Sequence, residues 1–399
     1  MKRGLALEGG GAKGAYHIGV AKAFVDKGLE FDGFVGTSIG AVNAAILAQG
    51  DLDAAYDLWM NISPNHIFAA EEQPLLQLSD IKELELNADF ISGVKGALTK
   101  VIGGRGVSTE RMLEFLNTHL NEERIRTSRK DFGLVTLSLS ERKPYELMLD
   151  DIPQGKLIDY IMASASFPGF SSVIIEGKKY LDGGLYNNCP VNLLSKLGYD
   201  EIVAVRVGSP GIVHPRIDKM KNVKLISPKE DLGSMMAFSA EASRTNIQIG
   251  YYDTLRFLEN LRGSHYYIKL IDEDVINAQL MALNDEIIVE AGKILGLNGA
   301  VGKRMLFEKI IPRLGAYLKL DKDFDYTDFV VALLEKRAKQ EEIERFQVYD
   351  YAGLCSLIIS KAVVSAKAAK KPISASLLPA YKKDTAVEIM TNHLFANFS

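Results

Sequence analysis

Cysteine is nearly absent from this 399-residue chain: Cys189 and Cys355 are the only two, far apart in sequence. So few thiols build no disulfide framework, which points to a reducing compartment, and they are too few for a thiolate metal site. Six histidines are present, with no HxxxH-type pairing, so no metal site is expected. Long apolar runs are missing as well. A transmembrane helix needs roughly 18 apolar residues in succession, and no stretch approaches that. A secretory leader needs an apolar core of about 7 residues after its basic start. Here Lys2 and Arg3 are followed by a short apolar stretch that Glu8 interrupts. The expectation is a soluble, cytoplasmic chain. An excess of one charge sign is also lacking: 47 basic against 51 acidic residues leave a net charge of −4. That gives no electrostatic reason to expect nucleic acid as a partner. No internal repeat and no low-complexity tract is found.

What is present is an ordinary globular balance, with 47% hydrophobic and 25% charged residues. The length suits one large domain with an appendage, or two domains. The first half alternates short apolar runs with helical stretches, the pattern of a mainly parallel sheet covered on both faces. Strands are predicted at 3–8, 31–37, 132–140, 145–149, 201–207 and 223–226, with a hairpin of 173–175 and 179–181 around Glu176-Gly177. Helices are predicted at 12–27, 39–49, 111–120 with Ser108 as N-cap, 156–165, from Val191, and across 234–261. A last strand is expected at 265–271, and beyond it the signal is helical. The glycine-rich segment 295–302 reads as a hinge, so the chain is divided into a catalytic domain over 1–293 and a C-terminal helical region over 294–399. The predicted fold is a three-layer α/β/α sandwich with that helical region appended.

Three motifs carry chemistry. Gly36-Thr37-Ser38-Ile39-Gly40 lies between a strand and a small-residue helix, as a nucleophile elbow requires. The serine of such an elbow occupies a strained turn, so its neighbours must be glycine to avoid clashes. It also sits at a helix N-terminus, where backbone dipoles favour negative charge. A lone GxSxG recurs by chance; its flanking elements are what add weight. Gly9-Gly10-Gly11-Ala12-Lys13-Gly14 joins the first strand to the first helix. Glycines there let backbone N–H groups face an anion, which could be an oxyanion or a phosphate. Gly9, Gly11 and Gly14 also spell a dinucleotide fingerprint. That site wants an acidic residue about 20 positions on, at the end of the second strand. The second strand ends at Ser38, and Asp32 stands at its opposite end. A Walker loop fails because Lys13 is followed by Gly14. The third motif, Asp182-Gly183-Gly184, is on its own a plain turn, although a serine nucleophile needs a positioned base and this turn projects a carboxylate.

Taken in order, the glycine-rich loop, the elbow and the Asp-Gly-Gly turn resemble the patatin-like phospholipase family. The segments Ala163–Phe170 and Asn188-Cys189-Pro190-Val191 around the turn fit the same pattern, and the resemblance spans about residues 1–210. It implies hydrolysis of acyl esters, with phospholipid or another glycerolipid as substrate and no metal or other cofactor required. Ser38 would be the nucleophile and Asp182 its base, in a dyad without histidine. Backbone amides of Gly10 and Gly11 would hold the oxyanion, with Gly9 and Ala12 shaping the loop, while Gly36 and Gly40 flank the elbow. Lys13 stands where the family often has a basic residue, and would support the loop or meet a lipid phosphate. A transient contact with a membrane surface follows as an expectation.

Other residues weigh less. A histidine triad would need His214 or His265 to join Ser38 and Asp182, yet only one strand–helix unit precedes the elbow, where an α/β-hydrolase places several strands. His17 reads as a packed helix residue, and His66, His119 and His393 as surface. Glu8 would orient the glycine loop or merely end a strand, and Cys189 reads as a small buried residue. The segment 357–371 mixes Leu357, Ile358, Ile359, Val363 and Val364 with lysines, as either a core helix or a membrane-surface helix would. Val330, Val331, Leu333 and Leu334 carry the same two readings.

Overall fold

The computed structural model describes residues 1–69, 107–167, 170–213, 217–269, 271–299, 301–368 and 379–396. The chain divides into two compact units, Met1–Leu255 and Arg256–Ser399.

The first unit is built on an eight-stranded mixed sheet. Its strands are β1 (Arg3–Leu7), β2 (Gly33–Thr37), β3 (Asp131–Ser138), β4 (Lys143–Met148), β5 (Val173–Ile175), β6 (Lys178–Asp182), β7 (Glu201–Val205) and β8 (Val223–Ile226). The order β3-β2-β1-β7-β8 is parallel throughout. β4 and β6 are antiparallel to β3, and β5 to β6. The central strands are buried on both faces, as parallel strands covered by helices must be. Ala6, Val35, Val135, Ile202 and Ala204 share one core cluster with Val191, Leu193 and Leu194 of the helix Val191–Lys196. The alternating residues Leu5, Leu7, Phe34, Leu134 and Val203 are also buried and point to the other face. There α2 (Ile39–Ala48) packs against β1, β2 and β3. The three-layer expectation therefore holds, with the antiparallel strands confined to one end of the sheet.

Most predicted elements form within a residue or two of their expected ends. The β5–β6 hairpin turns at Glu176 and Gly177, both with positive φ, as a two-residue hairpin turn requires. The cap of helix Glu110–His119 is Thr109, while the Ser108 hydroxyl accepts the Glu110 amide at 3.2 Å. The helix predicted from 234 begins at Ala240, because the preceding residues form a loop whose Met235 carbonyl accepts the Ala12 amide at 2.8 Å.

The second unit is mainly helical. Its core joins Leu280 and Ile288 with Leu306, Leu314, Phe329, Leu334, Leu354, Val387 and Phe395. The strand expected over 265–271 is only Tyr267–Ile268, paired in parallel with Val348–Tyr349. Its partner is too short to extend the ladder, since the helix Tyr351–Ala368 starts directly after it. The helical segment 302–317 passes through a π-helical stretch, Leu306–Ile310, just before Pro312. Proline has no N–H for the ordinary i−4 bond, and widening the turn relieves that mismatch. Val330, Val331, Leu333 and Leu334 are all buried, so that helix is a core helix. In Tyr351–Ala368, Leu354, Cys355 and Ile358 enter the core, whereas Leu357, Val363 and Val364 are exposed. Among the described residues no helix is long and apolar enough to cross a membrane.

Candidate active site

Ser38 follows β2 directly and precedes α2, with φ 58° and ψ −130°. Such a left-handed conformation is strained for a residue bearing a Cβ and persists only where its surroundings enforce it. The enforcing contacts are close backbone approaches. A Cβ added to Gly36 would lie 2.2 Å from the Gly40 carbonyl, and one added to Gly40 would lie 2.3 Å from the Leu7 carbonyl oxygen. The helix thus sits directly on the strand ends, and no side chain fits between them. The Ser38 amide donates to Ser164 Oγ at 3.0 Å, and that hydroxyl donates to the Val135 carbonyl at 2.7 Å.

The glycine-rich loop leaves β1 beside this elbow. The Gly9 amide donates to the Asn188 carbonyl at 3.0 Å, and the Ala12 amide to the Met235 carbonyl at 2.8 Å. Between them, the amides of Gly10 and Gly11 have no backbone acceptor among the described residues. Gly11 has φ +56°, and a Cβ there would meet the Met235 carbonyl oxygen at 2.2 Å. Only glycine suits that turn. Asn188 braces the loop from below, its Nδ2 donating to the Gly9 carbonyl at 3.3 Å. Lys13 is half-buried and its Nζ donates to the Gly208 carbonyl at 3.3 Å.

Asp182 ends β6 and is 3% exposed. Its Oδ1 accepts the Gly184 amide at 2.7 Å, while its buried Oδ2 has no hydrogen-bond partner. Burial raises its pKa to about 6. The Ser38 hydroxyl, close enough to favour the charged form, and the Gly184 amide oppose that rise. Ser38, Asp182, Gly9, Gly10, Gly184 and Asn188 line one cavity of about 20 Å³, room for about one water-sized group. Ser38 and Gly11 also border a larger apolar chamber of about 50 Å³.

With this geometry in hand, residues 5–195 match the family model described as patatin-like phospholipase. The chain carries a patatin-like phospholipase domain. The neuropathy target esterase sws of Drosophila melanogaster is 29% identical over 217 residues, 52% of this chain and 13% of that protein. The lysophospholipase NTE1 of Coccidioides immitis is 29% identical over 208 residues, 52% of this chain and 11% of its own length. The chain therefore aligns with only about an eighth of these curated relatives. Among solved structures, VipD from Legionella pneumophila is similar over 98% of this chain and 91% of its own, at 18% identity and a TM-score of 0.42.

In this patatin-like domain the three motifs named from sequence converge on one cavity. Among the described residues no histidine lines that cavity. His17 is fully buried in α1 (Ala15–Asp26), its pKa pushed down to about 3 by desolvation, with Nδ1 3.3 Å from the Asn43 amide nitrogen. His66, His119 and His393 are exposed. His265 belongs to the second unit, and His214 lies outside the described residues. Glu8 is fully buried and orients the loop after β7. Its carboxylate accepts from Arg206 Nε at 2.7 Å and from the amides of Val207 at 2.5 Å and Gly208 at 3.1 Å. Desolvation raises the Glu8 pKa, and the Arg206 guanidinium pulls it back down. Cys189 is buried, as expected of a small core residue. Sequence reasoning missed the roles of Ser164, Asn188 and Met235, although the first two lie in segments that carried the family resemblance. Their part is to hold backbone groups of the other motifs, which no local pattern announces.

Proposed function

We propose that the patatin-like domain hydrolyses carboxylic esters of lipids through a Ser38–Asp182 dyad and an acyl-enzyme. The observation that carries this reading is the Asp182 carboxyl: Oδ1 is anchored to the Gly184 amide, and the buried Oδ2 is left without a partner beside Ser38. Oδ2 takes the Ser38 proton as Oγ attacks the ester carbonyl carbon. The resulting oxyanion accepts hydrogen bonds from the Gly10 and Gly11 amides, which are otherwise uncommitted. Collapse breaks the bond to the alcohol, which leaves with the proton held by Asp182. Water then enters, gives a proton to Asp182 and attacks the acyl-enzyme. The second collapse returns that proton to Ser38 and releases the fatty acid. Gly9 and Ala12 shape the loop through their bonds to Asn188 and Met235, and Lys13 supports it through Gly208. All of these residues lie in the unit Met1–Leu255, and the C-terminal helical region is given no chemical role.

Similarity to proteins named esterase and lysophospholipase supports lipid acyl esters as the substrate class. Two buried, unpaired cysteines support a reducing, cytoplasmic setting, from which the domain would meet lipid at a membrane surface. The experiment is turnover of a short-chain nitrophenyl ester and of mixed lipid extracts, with Ser38→Ala as control. Release of fatty acid by the wild type and none by Ser38→Ala is expected, together with fluorophosphonate labelling at Ser38. A folded wild type that neither turns over esters nor labels would be a lipid-binding or scaffold protein instead.

A further inference from the structure

Two spaces open from Ser38, and they differ in chemistry. The smaller has the polar side chains of Asp182 and Asn188 in its wall. The larger, of about 50 Å³, is walled by Ile39, Ile67, Phe68, Met112, Phe170 and Phe238, and no ionisable side chain lines it among the described residues. Its walls are buried: Ile39, Ile67, Phe68, Met112 and Phe238 are all under a tenth exposed. A charge-free space with buried apolar walls that begins at the nucleophile suits an alkyl chain, because each methylene leaving water strengthens binding about fourfold.

Phe238 is the wall with the firmest backing. Its ring stacks on Trp59 at 6.4 Å between centroids and lies 6.1 Å from Phe68, which in turn lies 6.1 Å from Phe170. Trp59 is the one tryptophan of the chain and is fully buried. Its indole N–H donates to Asn43 Oδ1 at 2.9 Å, and Asn43 Nδ2 donates to the Gly14 carbonyl at 2.9 Å. The tryptophan is thereby tied to the end of the glycine-rich loop. Phe238 cannot move back without disturbing that tie, so its ring marks a fixed limit of the chamber.

We infer that this chamber is the acyl-chain site of the enzyme and that Phe238 sets the length of chain it accepts. The inference rests on Ser38 being the nucleophile, yet its test can be made without turnover. Full-length Ser38→Ala is titrated with butyrate, decanoate and palmitate below their micelle concentrations, and Trp59 emission is read. A saturable change with decanoate, at least tenfold tighter than with butyrate, is expected. No saturable change with any of the three overturns the chamber as an alkyl site, whatever the esterase activity does. Fatty-acid binding in a protein without esterase activity sinks the chemistry alone.

The role of Phe238 is read from the chain-length profile for nitrophenyl esters. Phe238→Ala is expected to move the preferred acyl chain at least two carbons longer, raising the long-to-short ratio of kcat/KM about tenfold. An unchanged profile overturns the assignment. Should Phe238→Ala fail to fold, Met112→Phe narrows the same chamber from helix Glu110–His119. It must then shift preference toward shorter chains, and an unaltered profile with that variant is equally fatal.

Discussion

Thr37 and Asp182 meet the same edge of β3 at consecutive positions, Thr37 paired with Val135 and Asp182 with Thr136. β4 occupies the opposite edge over Gly133–Ser138, so β2 and β6 must share this one end to end. β2 runs parallel to β3 and β6 antiparallel, so the two strands finish facing each other. Ser38, the next residue after Thr37, therefore stands beside a carboxylate 144 positions away in sequence. The same short piece of β3 supplies the Val135 carbonyl to Ser164, which holds the Ser38 amide.

Asp182 must be ionised to act as base, and burial has raised its pKa to about 6. The kcat/KM for a neutral ester should therefore fall as pH drops through about 6, with an acid limb of unit slope. A flat rate from about pH 4 to about pH 9 would exclude Asp182 as the base.

The same shift makes a stability prediction whose sign is fixed. The folded state disfavours the Asp182 carboxylate, so no penalty exists below about pH 4, where the carboxyl is protonated in both states. The penalty grows as pH rises toward about 6 and is complete above it. Asp182→Asn, which keeps an acceptor for the Gly184 amide, should unfold at higher denaturant than wild type at pH 8. The gain should be at most roughly 3 kcal/mol and should vanish below pH 4. Equal stability of the two proteins at pH 8 would contradict a desolvated carboxylate.

Ser38 holds a positive φ that only glycine adopts freely. Ser38→Gly and Ser38→Ala should both lose activity, but Ser38→Gly should be the more stable of the pair by about 1 kcal/mol in chemical denaturation. The reverse ranking would mean that the elbow stores no strain.

Ser164 is fully buried, and its hydroxyl is the acceptor for the Ser38 amide. Ser164→Ala leaves that donor unpaired, at about 1–3 kcal/mol of stability. Because the lost bond aligns the nucleophile, kcat should fall about tenfold while KM stays near its wild-type value. A rise in KM at constant kcat would assign Ser164 to substrate binding.

Gly10 is the test of the oxyanion loop. A Cβ there would lie 2.3 Å from Ser209 Oγ and 2.7 Å from Val207 Cγ2, on the loop that Glu8 holds. Gly10→Ala should push the loop out of register and lower kcat by about 10²–10³, with fluorophosphonate labelling of Ser38 slowed in parallel. Labelling at the wild-type rate would remove the Gly10 amide from the mechanism.

Local chemistry determined much of this protein in advance. Glycines at 9–11, 36 and 40 admit only tight turns and close backbone contacts, apolar runs covered on both faces pair in parallel, and Glu176-Gly177 turns a hairpin. Each of these follows from sterics acting over a few residues, and each is legible in the sequence. The C-terminal helices were legible as well, although the apolar run at 265–271 formed only a two-residue strand because its partner Val348–Tyr349 is cut short by the helix that follows it. Tertiary structure alone decided which distant groups meet. Sheet pairing brought Asp182 to Ser38, helix packing brought Ser164 to the Ser38 amide, and loops brought Asn188 to Gly9 and the Met235 carbonyl to Ala12. Burial of Asp182 has the same origin: desolvation depends on every layer packed around a carboxyl, and no neighbour in sequence reports it.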